Sequence, residues 1–115
     1  VEKRIGLAVE IGRKGADWEG AMLELRNIIG AGLMATEAIP CVFGILAATP
    51  GDPMSAIKMG VNIGDDTDTV ATMVGAVAGA LYGMGNIPDE YISLINKVND
   101  FDLEGLARDI EREFY

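Results

Sequence analysis

The chain has 115 residues, enough for one domain or one piece of a larger one; half of them are apolar and only 6% are aromatic. Its formal net charge is -9, it has no histidine, and its lysines and arginines are scattered rather than clustered, which excludes a basic stripe for nucleic-acid phosphates. Fifteen glycines and six methionines call for a core of small and flexible side chains, as in closely packed helices. The single Cys41 has no internal disulfide partner, and neither a Cys/His metal pattern nor a secretory leader is visible, so a reducing cytoplasm is the default location. The chain opens on Val1, and "VEKRIGLAVEIGRKG" reads as the middle of a longer protein.

Apolar residues recur at helical spacing nearly throughout, and no stretch alternates with period two for long enough to make a strand. The pattern predicts an all-α chain. A first helix covers about residues 2 to 12 and ends at Gly12 or Gly15. A second starts after Asp17 as N-cap, turns Trp18, Met22, Leu25, Ile28 and Ile29 inward, and ends at Gly30. The stretch "GAGLMATEAIP" is glycine-rich and irregular. A third helix runs across "IPCVFGILAA" with Pro40 in its first turn, and "TPGDP" closes it. Asp52 and Pro53 form a cap and first-position pair for a fourth helix through about Val61. A fifth begins between Asp66 and Thr69 and runs to Tyr82 or Gly83, a sixth starts at Pro88, and Asp102 caps a seventh. There is no linker and no internal repeat.

Residues 69 to 87 carry no charge, which raises the question of a membrane span. Their glycines and alanines make the stretch only weakly hydrophobic, no basic or aromatic anchors flank it, and the neighbouring helices are amphipathic. A buried central helix is expected instead, with Ala71, Gly75, Gly79 and Gly83 as a small-residue stripe that lets another helix approach closely.

At the mouth of this apolar helix lies "GDDTDT". Asp65, Asp66 and Asp68 fall within four positions, where one cap needs only one residue, and their mutual repulsion opposes folding unless a cation compensates. Two readings stand side by side: helix capping favoured by the dipole, and a metal site. As metal ligands, Asp66, Asp68 and the hydroxyl of Thr69 form an all-oxygen set, which suits Mg²⁺, Mn²⁺ or Ca²⁺ and disfavours zinc; the spacing does not match an EF-hand loop, so a hard octahedral cation remains.

The run Gly64, Asp66, Thr67, Asp68, Thr69, "VATMVGAVAGALYG" and "IP" closely resembles the C-terminal signature of the ADP-ribosylglycohydrolase family, which includes dinitrogenase reductase-activating glycohydrolase and the J1 crystallins. Upstream, "GLMATEAIPCVFGIL" and "DPMSAIKMGVNIG" resemble the family's glycine-containing stretch and the helix before its metal loop, so the likeness covers about residues 17 to 90 in consistent order. It implies an all-α fold of which residues 1-115 are a C-terminal fragment, and a Mg²⁺- or Mn²⁺-dependent hydrolase acting on the glycosidic bond between ADP-ribose and an acceptor. It further implies Asp66, Asp68 and Thr69 as ligands in a two-metal site; Gly30 and Gly32 either bring backbone close to the nucleotide or simply terminate the preceding helix.

The family's usual second glycine is replaced here by Asp65, an added carboxylate beside the metal ligands, a further ligand, or a solvent-facing replacement at a tolerant position. Its other ligands, a Thr-Asp-Asp type motif, and its catalytic acid have no match in residues 1 to 60. The fragment alone is therefore expected to be inactive; its fold is covered by the missing N-terminal half or by a self-associated copy that buries the same surface. Its partner is an ADP-ribosylated substrate, with neither direct nucleic-acid binding nor a membrane. The alternative is a non-catalytic, crystallin-like member of the same fold.

Other candidates have plainer roles. Cys41 reads as a small core residue, Trp18 and Tyr82 as packing rather than adenine stacking, "LARDIEREFY" as a solvated face, and Glu37 as a helix-start acid or a neighbour of the ligand site.

Overall fold

The computed structural model describes residues 1-15 and 17-115, and every regular element among them is helical. The order is α1 (Glu2–Lys14), α2 (Trp18–Glu24) running on into a π-helical turn (Leu25–Ile29), α3 (Ala35–Ala48), α4 (Pro53–Asn62), α5 (Thr67–Tyr82), α6 (Asp89–Asn99) and α7 (Leu103–Phe114). The expected all-α class is observed. Three helix starts lie where aspartate caps dictate. Asp17 accepts from the Gly20 N–H at 2.6 Å, Asp52 from the Ser55 N–H at 3.0 Å and Asp102 from the Gly105 N–H at 2.9 Å. Each bond satisfies a donor that the first helical turn leaves over. Asp52 also accepts the Ser55 hydroxyl at 2.6 Å, and the hydroxyl bond first, then the amide bond, hold its carboxyl below the usual carboxylate value.

Two helices depart from the sequence pattern. Helix α3 begins at Ala35, so Pro40 lies inside it rather than in its first turn. Proline has no N–H for the carbonyl four residues back, a loss of ~3 kcal/mol in an isolated helix. Here Arg4 of α1 supplies a donor instead, its Nε reaching the Thr36 carbonyl at 2.7 Å. In the second helix Leu25 and Ile29 are buried and Met22 is partly so, as expected, but Trp18 and Ile28 are exposed at 41% and 49%. The π turn is closed by the Gly30 N–H on the Leu25 carbonyl at 3.0 Å, five residues back, and the extra residue rotates Ile28 off the inner face.

The core is built by close approach. Helices α1 and α3 cross so tightly that a Cβ on Gly12 would strike the Gly44 carbonyl. Against this pair pack α4 and α5, bringing Met59 and Ile63 to Val70 and Val74. Helix α5 is not enclosed on all sides as its composition suggested: Val70, Val74 and Ala78 are buried, while Leu81 and Tyr82 are exposed. Of its small-residue stripe, Ala71 comes against Gly60 of α4, whereas nothing lies over Gly79. No described helix is long and apolar enough to cross a membrane. Helices α6 and α7 bury no residue.

Cys41 is fully buried in this core, and burial pushes its thiol from the ordinary 9.0 up to about 12. Iodoacetamide at pH 8 should therefore label it only as fast as the protein unfolds, which mass spectrometry against a denatured control will read. Because the folded pKa is the higher one, this thiol favours the fold below pH 9.0, and that contribution drains away as pH rises toward 12. Labelling of the native protein at the denatured rate would contradict the burial.

Candidate metal and ligand site

The chain between α4 and α5 is pinned at both ends, by Ile63 at 1% exposure and Val70 at 0%. Between them the backbone turns through two left-handed residues, Gly64 at φ 89° and Asp65 at φ 63°. That conformation suits glycine and, among other residues, is best tolerated by Asn and Asp, so Asp65 can take it. The Thr67 N–H then donates to the Asp65 carbonyl at 3.0 Å, and the Val70 N–H takes the Asp66 carbonyl at 3.1 Å to open α5.

Asp66 is the N-cap of α5, yet its side chain caps nothing. This sets it apart from Asp17, Asp52 and Asp102, which occupy the same position on their helices and each accept a backbone N–H. The half-buried Asp66 carboxylate is left with its oxygens uncommitted, beside the exposed Asp68 and Thr69 of the first turn. Among the described residues no three acidic, histidine or cysteine side chains gather as a metal cage, so Asp65, Asp66 and Asp68 do not close around one point by themselves. Two carboxylates and a hydroxyl at a helix start are what remains, an oxygen set of the hard-cation kind.

A second loop, residues 30-34, lies directly against the first. The Asp66 N–H donates to the Ala31 carbonyl at 3.0 Å, tying the two loops across the sequence. Glu37, in the first turn of α3, reaches back so that its Oε2 accepts the Gly32 N–H at 3.2 Å. A Cβ on Gly32 would come within 2.6 Å of that Oε2 and 3.4 Å of Asp65 Oδ2, so the absence of a side chain lets Glu37 and the aspartate loop close on the same peptide. Gly30, Gly32, Glu37, Asp65 and Asp66 are thus brought together, and Glu37 is a neighbour of the site as well as a helix-start acid.

Not every candidate arrives. Tyr82 closes the far end of α5, ~24 Å along the helix axis from Asp66. Trp18 lines a cavity of about 320 Å³ with Ala48, Thr49 and Asp52, at the opposite end of α3 from Glu37. Both aromatics lie at the ends of α3 and α5 remote from the two loops. Two residues that no motif marked do arrive. The Arg26 guanidinium lies over Gly64, where a Cβ would meet its Cζ at 2.8 Å, and Arg4 bonds the carbonyls of Ile29 and Thr36 on either side of the 30-34 loop. The one sequence signal for Arg4 is indirect: a proline inside a helical run leaves a carbonyl that some distant donor must take.

Comparison with known proteins identifies the family. The chain matches the ADP-ribosylglycohydrolase family over residues 1–115. It is 31% identical over 104 residues to the uncharacterized protein YegU of Escherichia coli (strain K12), covering 90% of this chain and 31% of that protein. To the Homo sapiens ADP-ribosylhydrolase ARH3 it is 31% identical over 101 residues, covering 79% of this chain and 27% of that protein. The ADP-ribosylarginine hydrolase Tri1 of Serratia proteamaculans (strain 568) shares 51% identity over 37 residues, 32% of this chain and 10% of that protein. No solved structure matches. The chain spans less than a third of the length of these relatives. With a match along its whole length, an all-helical fold and the acidic loop at the start of α5, the chain belongs to the ADP-ribosylglycohydrolase family.

Proposed function

We propose that the complete protein hydrolyses the glycosidic bond between ADP-ribose and an acceptor in a reaction dependent on Mg²⁺ or Mn²⁺, with this chain supplying Asp66, Asp68 and Thr69 to a two-metal site. The observation that carries the metal reading is the idle carboxylate of Asp66: a residue at a cap position whose side chain does not cap is free to ligate. Its neighbours fit the same purpose, since the donor set is all oxygen and the three crowded aspartates gain most from a cation. A divalent metal held by Asp66, Asp68 and Thr69 would supply Lewis-acid chemistry at this site. The protein's own part is positional. Glu37 packs over the side-chain-free backbone of Gly30 and Gly32 and holds the Gly32 peptide, and the bond between Asp66 and Ala31 fixes the loops relative to each other.

The names of the relatives point to ADP-ribosyl bonds and, for one, to the arginine linkage. The remaining ligands and the catalytic acid would come from sequence outside this chain. A cytoplasmic location with neither nucleic acid nor membrane as partner completes the reading. The test is release of ADP-ribose from peptides ADP-ribosylated on arginine or on serine by the full-length protein, with and without EDTA. Metal-dependent release from either establishes the activity and its linkage; no release by a folded, metal-loaded protein rejects it in favour of a non-catalytic member of the fold.

A further inference from the structure

We propose that Arg4 is a positioning residue for this site, bracing the 30-34 loop against the aspartate loop; the functional half of the proposal rests on the hydrolase reading above. Arg4 is half-buried on α1, far from either loop in sequence. Its Nε donates to the Thr36 carbonyl at 2.7 Å and its Nη2 to the Ile29 carbonyl. Each acceptor is orphaned for its own reason. Thr36 has lost its helical donor because residue 40 is proline, and Ile29 ends the π turn, where the chain leaves helical geometry at Gly30 with φ 88°.

The two carbonyls bracket the loop, one before it and one after. A guanidinium presents its N–H groups in a rigid planar fork, so holding both fixes the distance between the loop's two ends, which one ammonium cannot do. What the loop carries between them is the site's own wiring: the Ala31 carbonyl that receives the Asp66 N–H, and the Gly32 N–H given to Glu37. Among the described residues, neither bond of Arg4 goes to a residue proposed to meet metal or substrate. Through the loop it sets how the Asp66 peptide and the Gly32 peptide face each other.

The bland account is that Arg4 merely satisfies a carbonyl that proline left bare, and a pair of variants separates the two. Arg4→Ala removes both bonds. Arg4→Ala/Pro40→Ala removes them too, but gives residue 40 an N–H that closes the ordinary helical bond to Thr36, which restores stability and keeps the test usable where the single variant folds poorly. Hydrogen exchange in the full-length protein is read at the amides of Asp66 and Gly32, with Val70 as reference. Bracing predicts that both variants speed exchange at Asp66 and Gly32 about tenfold or more while Val70 stays within about twofold. It also predicts a KM for the ADP-ribosylated peptide raised about tenfold with kcat changed far less. Restored protection in the double variant, or unchanged protection in the single one, overturns the brace. Lost protection with an unchanged KM overturns its role at the site. A wild-type protein that cleaves no ADP-ribosyl bond sinks the hydrolase reading, and the exchange data alone then decide the brace.

Discussion

In the full-length protein, Asp66→Ala/Asp68→Ala should abolish the metal response and lower kcat/KM about a thousandfold or more, the loss of several kcal/mol of transition-state stabilisation. It should do so without unfolding the chain. Ordinary N-cap aspartates such as Asp52 cost about 1 kcal/mol when truncated, because a backbone donor is left bare. Asp66 makes no such bond, and removing two of three crowded like charges relieves repulsion, so metal-free stability should stay within about 0.5 kcal/mol. The clearest readout is thermal: at a Mn²⁺ concentration a hundred times Kd, the wild type gains about 2.7 kcal/mol by mass action and the variant gains nothing. Asp52→Ala is the control, less stable yet fully responsive to metal. An equal Mn²⁺ shift in wild type and double variant would place the metal elsewhere. A large drop in metal-free stability would return Asp66 to the role of a cap.

What the sequence disclosed of this site follows from how local each determinant is. Asp17, Asp52 and Asp102 start their helices through bonds to residues three positions on, so reading each start needed only its own neighbourhood. The aspartate loop was legible for the same reason, being contiguous. The start of α3 was not, because Pro40 is tolerated inside the helix by Arg4, thirty-two residues from the carbonyl it bonds. The inward face of the second helix departs from the sequence pattern at Ile28 because a turn closed five residues back shifts the phase that a 3.6 period assumes. The composition of α5 recorded its capacity to be buried without naming what covers it. Likewise the pairing of Gly32 with both Glu37 and the Asp65 loop depends on two segments meeting in space, and nothing in "GAGLMATEAIP" alone fixes that encounter.

Glycine provides the sharpest case of identical local chemistry with opposite consequences. Gly6 and Gly12 both lie within α1, and alanine is preferred to glycine by ~1 kcal/mol in a helix interior. Nothing lies within 4 Å of a Cβ built on Gly6, so Gly6→Ala should stabilise the protein by about that amount. On Gly12 the same methyl group meets the Gly44 carbonyl, with the Ala48 N at 3.0 Å, and these are main-chain atoms that no rotamer change can move. Gly12→Ala must therefore push α1 off α3, opening the contact that buries Ala8, Ile11 and Ile45, and should cost about 3 kcal/mol, the upper part of the usual range for overpacking. At 2–4 °C per kcal/mol for a protein longer than this chain, thermal unfolding should put the two variants roughly 8–16 °C apart, on opposite sides of the wild type. Because α1 also carries Arg4, a displaced α1 takes the brace with it, so Gly12→Ala should loosen the Asp66 amide while Gly6→Ala leaves it protected. A Gly12→Ala protein as stable as wild type would mean that α1 and α3 do not touch through their backbones, and the route from α1 to the site would fall with that contact.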